Sequence, residues 1–200
     1  MNSVIIEKHP FKPFLPRDAK LLMCGSFPPK QEKWSMDFYY PNYINDMWRI
    51  YGLIFLENKD ALLNLKEKKT DKEKVKKLLL EKGIALAETA REVVRTKDNA
   101  SDKYLEVIKK IDLPNILSQL PQCNNLATTG EKAAQIIAEI TKTELPKIGE
   151  YQICKIITEE GSERIFNHWR MPSSSRAYPL KLEEKAKIYK EMMQNIGLIN

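Results

Sequence analysis

A short apolar run, AKLLMCGS at residues 19–26, sets the strongest limit on the fold, and Gly25 and the Pro28-Pro29 pair bring it to an end. A run of this length that stops at glycine and proline is typical of a buried central strand whose carboxyl end opens into a loop. Ligands bind at such strand ends in open α/β sheets. The run therefore predicts both a central sheet and a binding edge.

Further segments fit the same sheet. NLATTG (125–130) followed at once by EKAAQIIAEI predicts a strand, a glycine turn and a helix. GIALAET, which begins at Gly83, is either a second buried strand or the start of a helix, because periodicity does not separate the two. YQICKIIT and RIFNHWR alternate polar and apolar residues and predict two half-buried strands, with a hairpin as one arrangement. The expected architecture is a three-layer α/β/α sandwich with a central, mostly parallel sheet.

Four segments predict helices. INDMWRIYGLIF spaces its apolar residues helically, residues 66–82 combine lysines and leucines as a solvated surface helix, and the DNASD turn (98–102) can cap a helix through YLEVIKKI. KLEEKAKIYKEMMQNIG forms a fourth helix that Gly197 ends. The expected inward-facing side chains are Ile44, Met47, Trp48, Tyr51, Ile54 and Phe55 in the first helix and Leu182, Ala186, Tyr189 and Met193 in the last, whereas the second helix carries Val75, Leu78, Leu79 and Leu80 beside its charged residues.

Composition narrows the class of protein. The chain has 200 residues, 42% of them hydrophobic, which predicts one domain over residues 1–200. We expect it to be a monomer. Its three cysteines lie far apart, which favours a reducing compartment. A polar, proline-broken N-terminus and the lack of a long apolar stretch predict a cytoplasmic protein with no membrane association. The formal charge of +6 makes a polyanionic partner plausible, although a modest lysine excess is common and names no ligand.

Several familiar chemistries find no support in the sequence. The chain lacks a GxSxG elbow, and Gly25-Ser26 is followed by Phe27 and Pro28 instead. It also lacks Walker and Rossmann glycine patterns and any cluster of metal ligands. We therefore expect neither a metal nor a cofactor.

Two polar loops hold the side chains best suited to a ligand. Aromatic rings beside lysines suit stacking on a nucleic acid base, and serines beside arginines suit a phosphate clamp. Alternatively, the aromatic residues are core and the serines are a solvated turn. The first loop offers Trp34, Phe38, Tyr39, Tyr40, Asn42 and Asn45, and the second, RMPSSSRAYP, offers Ser173, Ser174 and Ser175 between Arg170 and Arg176.

Five segments in this order, LLMCGSFPP, YYPNYINDMW, GIALAETAREVVRTKDNASD, ATTGEKAA and RMPSSSRAYP, resemble the uracil-DNA glycosylase superfamily. They are most similar to its hypoxanthine-DNA glycosylase branch, over roughly residues 10–193. The resemblance implies an enzyme that binds DNA containing a damaged or mispaired base, flips that base into a pocket and hydrolyses its N-glycosidic bond without a lyase step.

The resemblance also implies roles for individual residues. Phe27 stands where many members have an Asp or Asn that positions the attacking water, so we expect that role at Asn45, with Asn42 as a less favoured substitute. Tyr39 or Tyr40 would stack on the flipped base. The implied base pocket comprises Gly25, Ser26, Phe27, Pro28, Tyr39, Tyr40 and Glu88.

Glu88 occupies the position that reads the base edge in the family. An ionised carboxylate accepts hydrogen bonds and donates none, so it favours a base edge that presents N–H groups and repels one that presents only carbonyls, which argues against specificity for uracil. The alternative is a surface helix residue paired with Arg91 or Arg95.

The second family motif often carries a histidine that stabilises the departing base, and Met171 stands there in this chain. Pro172 and Ser173 match, so the loop still predicts contacts with the DNA backbone, with Ser175 or Arg176 entering the groove. We expect a monofunctional DNA glycosylase. The alternatives are a nucleic-acid-binding member that has lost its chemistry and a small-molecule nucleoside hydrolase or other phosphate-binding enzyme, which would not need the Ser173–Arg176 clamp.

Overall fold

The computed structural model describes residues 5–96 and 104–200, so the predicted capping turn at 98–102 lies outside the described residues. In chain order the elements are β1 (Ile6–Lys8), β2 (Leu21–Gly25), a 3-10 turn (Gln31–Lys33), α1 (Met47–Leu56), β3 (Leu63–Asn64), β4 (Lys69–Thr70), α2 (Lys72–Lys82), β5 (Ile84–Glu88), β6 (Ala90–Arg95), β7 (Leu105–Lys110), α3 (Leu113–Ser118), β8 (Asn125–Thr129), α4 (Glu131–Thr141), β9 (Tyr151–Ile157), β10 (Glu163–Met171) and α5 (Leu182–Asn195).

Five strands form the central sheet, in the spatial order β5-β2-β8-β10-β9. The first four are parallel to one another, and β9 pairs antiparallel with β10 as a hairpin. GIALAET is therefore a strand, and the predicted strands at 19–26 and 125–130 are confirmed. Because the register pairs Gly25 with Glu88 and Thr129 with Met171, the carboxyl ends of the four parallel strands meet at one edge.

Alternating residues of the central strands face opposite helical layers. Leu21 and Met23 pack in one core with buried residues of α1, α2 and α5, whereas Leu22 and Cys24 pack in a second core with α3 and α4. A strand that is apolar on both faces must be covered on both sides. The three-layer α/β/α architecture is thus confirmed.

The sequence did not predict a second, three-stranded antiparallel sheet in the order β1-β6-β7. Its β7 replaces the helix predicted through YLEVIKKI. Leu105 is buried, exposed lysines end the strand, and it pairs antiparallel with the preceding strand β6, so strand pairing overrides the local helix signal. Val93 and Leu105 pack this sheet against Ile136 of α4.

The other predicted helices form, with two corrected boundaries. α1 begins at Met47, and Ile44, expected on its inner face, lies before the helix and is 56% exposed. α2 begins only at Lys72, because 63–64 and 69–70 pair as a short hairpin. Val75, Leu78 and Leu79 are its buried residues, and Leu80 is exposed. Over the residues described, no helix is long and apolar enough to cross a membrane.

Candidate functional site

A cavity of about 850 Å³ opens at the edge where the parallel strands end. Most residues singled out in the sequence line it, whereas Arg170 and Arg176 do not. The lining includes Gly25, Ser26, Phe27, Pro28, Tyr39, Tyr40, Asn42, Asn45, Glu88, Ser173, Ser174 and Ser175, together with His9, Phe11 and the first turn of α4.

The loop after β2 is fixed to the second sheet. The Thr89 backbone N–H and hydroxyl donate to the Gly25 carbonyl at 2.9 and 3.1 Å, and Arg95 donates to the Pro28 carbonyl at 3.2 Å. The Arg95 guanidinium also lies 5.9 Å from the centre of the Phe27 ring. The second sheet therefore holds one wall of the cavity in place.

Two adjacent tyrosines form another part of the wall. The Tyr39 hydroxyl donates to Glu88 at 2.7 Å, and the Tyr40 hydroxyl shares a 3.1 Å hydrogen bond with the Thr129 hydroxyl. Burial raises the pKa of both phenols far above their ordinary range, so both stay protonated. Their neighbour Phe38 is core, and Trp34 packs on Phe11 and does not line this cavity.

Glu88 lies at the buried end of β5 and is only 1% exposed. One carboxylate oxygen accepts from Arg91 and the other from Tyr39, so the expected pairing with Arg91 occurs. The alternative of a surface helix residue is wrong, because the residue ends a strand of the central sheet. Buried carboxylates need such partners, and an ionised carboxylate can accept more hydrogen bonds than these two. Glu88 also lines the cavity.

His9, which the sequence reading did not single out, lies beside Glu88. Its Nδ1 is 3.7 Å from the Glu88 carboxylate, and its ring stacks 5.7 Å from that of Tyr39. Burial lowers the pKa of His9 to about 4, so the ring is neutral at neutral pH. A lone histidine in a proline-broken segment carried no spacing signal that could have revealed this position.

Asn45 and Asn42 lie in the turn before α1, not on the helix where Asn45 was expected. The Asn45 side-chain oxygen accepts from the Met47 N–H at 2.9 Å, and that of Asn42 accepts from the Ile44 N–H at 3.1 Å. Such side-chain bonds compete with helical bonds and keep the turn out of the helix. Both amides line the cavity, with their NH₂ groups on the far side of the amide from these contacts.

The serine loop, residues 173–176, faces the asparagine turn. Ser174 is buried, and its carbonyl accepts from the Asp46 N–H at 2.9 Å. Gly130, whose φ of +95° favours glycine, begins α4 beside this loop, and a Cβ built there would make an ordinary van der Waals contact with the Ser173 Cβ at 3.5 Å. Gly130 and Ser173 both line the cavity at this junction, which is called the cavity mouth below.

The two arginines that flank the serines lie outside the cavity lining. Arg176 pairs with Asp46 at 3.0 Å, and Arg170 donates to the Pro146 carbonyl and lies 3.9 Å from Glu131. Met171 is fully buried in the core and presents no group to the cavity. Among the described residues, no group of three or more His, Cys, Asp or Glu is arranged to hold a metal ion.

Comparison with known proteins identifies the fold. The chain is similar to the solution NMR structure of a putative uracil DNA glycosylase from Methanosarcina acetivorans, with a TM-score of 0.58 and 19% identity over 94% of this chain and 99% of that one. No family model matches the sequence, and no curated protein matches it significantly. The likeness therefore establishes the α/β fold with its mostly parallel sheet.

Proposed function

We propose that the protein is a monofunctional DNA glycosylase that hydrolyses the N-glycosidic bond of a deaminated or otherwise damaged base. One observation carries the proposal: a single cavity at the ends of parallel strands collects the Asn45 amide, the Glu88 carboxylate and the serine loop. The name of the Methanosarcina acetivorans protein, which shares the fold, supports this class of activity.

Asn45 is the proposed water-orienting residue. Cleavage of a glycosidic bond passes through a cationic sugar, and a water molecule must be held at its far side. A side-chain amide both donates and accepts hydrogen bonds, which suits it to fix a water. Because the Met47 N–H fixes the Asn45 oxygen, the amide is oriented before a substrate arrives.

Glu88 is the proposed base-reading residue, and its chemistry predicts a preference. In hypoxanthine the N1–H group lies next to a C–H group, so a carboxylate can accept from it while avoiding the carbonyl. In uracil the N3–H group has a carbonyl on each side, and the second carboxylate oxygen would face one of them. We therefore propose that hypoxanthine-like bases are preferred to uracil.

The serine loop is the proposed contact with the DNA backbone. Hydroxyls and loop amides commonly bind phosphate oxygens, and such contacts position the duplex without reading its sequence. Tyr39 and Tyr40 supply ring surface beside Glu88 for a flipped base.

A second candidate is a DNA-binding protein without catalysis. It is favoured because the side-chain oxygens of Asn42 and Asn45 already accept hydrogen bonds from backbone N–H groups of the turn. Met171, buried where the resemblance implies a donor for the departing base, also favours it.

The test is single-turnover excision on labelled duplexes that each hold one uracil, hypoxanthine, xanthine or alkylated base, with alkali to cleave abasic sites. Asn45→Ser keeps an oxygen that can accept from the Met47 N–H but removes the amide. We expect it to slow excision by about 100-fold or more, the scale of a lost transition-state donor. Asn42→Ser, the same change in the same turn, serves as the control and should keep most of the rate.

Three other results would overturn parts of the proposal. Loss in Asn42→Ser alone would transfer the catalytic role to that residue. Full activity in both variants would remove the asparagines from the mechanism. Binding of every duplex without excision of any base would establish the second candidate.

A further inference from the structure

A buried ion cluster lies directly behind the wall of the cavity. It consists of Asp46, Lys185 and Arg176, which come from the turn before α1, from α5 and from the serine loop. Lys185 donates to one Asp46 oxygen at 2.9 Å, and Arg176 donates to the other through Nε and Nη2 at 3.2 and 3.0 Å. These three residues are called the Asp46 cluster below.

The two cations of the cluster differ in exposure. The Lys185 side chain is 0% exposed and donates a second bond to the Ser175 carbonyl at 2.7 Å, whereas the Arg176 side chain is 54% exposed. Asp46 is the one carboxylate among the described residues that pairs with Arg176. Lys185 is therefore a permanent member of the cluster, and Arg176 is the member at its solvent edge.

This difference decides which bond can be exchanged. A buried carboxylate that loses its only partner is strongly destabilised, but one that keeps a second partner is not. If Arg176 turns away, Asp46 still holds the Lys185 ammonium and keeps its own 2.9 Å N–H bond to Ser174. The exposed guanidinium can then bind a phosphate, whose oxygens accept two parallel N–H hydrogen bonds from it.

We propose that Lys185 neutralises Asp46 so that Arg176 can exchange from Asp46 to a DNA phosphate when the duplex binds. The inference rests on the proposed function, because it takes DNA as the ligand. Asp46 and Lys185 are positioning residues in this scheme. They hold the asparagine turn against the serine loop while Arg176 moves.

The scheme predicts opposite effects for the removal of the two partners. Arg176→Ala removes the phosphate contact. The slope of the logarithm of the DNA-binding constant against the logarithm of the salt concentration should therefore become less steep by about one. Lys185→Met leaves Arg176 as the only partner of Asp46, so the arginine stays there and the slope falls equally. In the Lys185→Met background, Arg176→Ala should then change the slope no further.

Asp46→Asn should act in the other direction. It frees Arg176 from its competing carboxylate, so duplex affinity at low salt should stay equal or rise, while the loosened turn slows excision severalfold. A purely structural cluster would lower binding and excision together. The double variant Asp46→Asn, Lys185→Met also keeps Arg176 free, and it replaces Asp46→Asn if that variant, which leaves the buried Lys185 ammonium without a counter-charge, does not fold.

The experiment measures the affinity of each variant, full length, for a lesion-containing duplex by fluorescence anisotropy across a range of salt concentrations, with thermal melting as the folding control. The expected pattern is a non-additive pair for Lys185 and Arg176 and undiminished binding for Asp46→Asn. The exchange would be overturned if the salt slope were unchanged in Arg176→Ala, or if the slopes of Arg176→Ala and Lys185→Met added in the variant that combines them. In either case, binding of the duplex by the wild-type protein would leave the proposed function intact. Wild-type protein that binds no duplex would overturn both.

Discussion

Two buried carboxylates, one in the cavity wall and one behind it, have different surroundings and different roles. Glu88 lines the cavity at the end of β5, whereas Asp46 lies behind its wall at the start of α1. Glu88 is neutralised by one guanidinium, that of Arg91, whose side chain is 36% exposed, and Asp46 is neutralised by two cations, one of them fully buried.

The difference shows that a buried carboxylate can either bind a ligand or hold segments of the chain together. A carboxylate with lone pairs directed at a cavity can read a ligand. A carboxylate whose two oxygens are both taken by cations serves to join the segments that carry those cations. The first prediction below compares the two sites directly, and the next two test the Glu88 side of the cavity and its mouth.

The largest expected effect is on stability. Asp46→Ala leaves the buried Lys185 ammonium without a counter-charge, which should lower the free energy of unfolding by about 3 to 5 kcal/mol. Glu88→Ala should cost only about 1 to 3 kcal/mol, because the partly exposed Arg91 can turn to water. Urea unfolding measures both, and Asp37→Ala, which breaks an exposed pair with Lys72, is the control expected to cost under about 1 kcal/mol.

A Glu88→Ala variant that lost as much stability as Asp46→Ala would contradict the comparison. It would mean that Glu88 is as structural as Asp46, and its assignment as a base reader would lose its basis.

The second prediction concerns how stability depends on pH, and it tests the Glu88 side of the cavity through the neighbouring His9. Burial lowers the pKa of His9 and of His168 to about 4, below the usual value of 6.5, so the unfolded chain binds these protons first. Stability should be flat above about pH 6.5 and fall as the pH drops toward 4, with a slope approaching about 1.4 kcal/mol per pH unit for each histidine.

His9→Phe, which keeps a ring beside Tyr39 and Phe27, should halve that slope. Chemical unfolding at pH 7, 6 and 5 measures it. A slope that is unchanged in His9→Phe would show that His9 is not neutral in the folded protein.

The smallest expected effect is at the cavity mouth. Gly130→Ala places a side chain at a φ of +95° and against Ser173, whereas Gly161→Ala, at a φ of +80°, meets nothing within 4 Å. Gly130 also has a ψ of 169°, a backbone region that is essentially restricted to glycine, so Gly130→Ala should lose about 1 to 3 kcal/mol of stability and Gly161→Ala about 1 kcal/mol. Only Gly130→Ala should also weaken duplex binding, and equal binding by the two variants would argue against the mouth as the DNA contact.

The central sheet could be predicted because each strand is a local apolar run that ends in a turn signal. Residues 19–26 and 125–130 are each identified as a strand by their local sequence alone, and their parallel pairing follows from the helices between them. The second sheet could not be predicted, because β1 pairs with β6 more than eighty residues away and shows no long apolar alternation.

The candidate site divides in the same way. The tyrosine pair, Asn45 and the serine loop stand in compact motifs, so their meeting in one cavity was foreseeable from strand ends. Lys185 was not, because a lysine in an amphipathic helix normally faces water, and its partner Asp46 lies 139 residues away. His9 likewise gains meaning only from its contact with Glu88.

The most direct test of the account is the ratio of single-turnover excision rates on hypoxanthine and uracil duplexes, measured for wild type and Glu88→Gln. A glutamine can donate to a carbonyl as well as accept from an N–H group, so the variant should process uracil relatively better. The account predicts that wild type prefers hypoxanthine and that Glu88→Gln lowers this preference about tenfold or more, the scale of one hydrogen bond to a charged group. A ratio that is the same in both proteins would contradict it, because Glu88 would then not read the base.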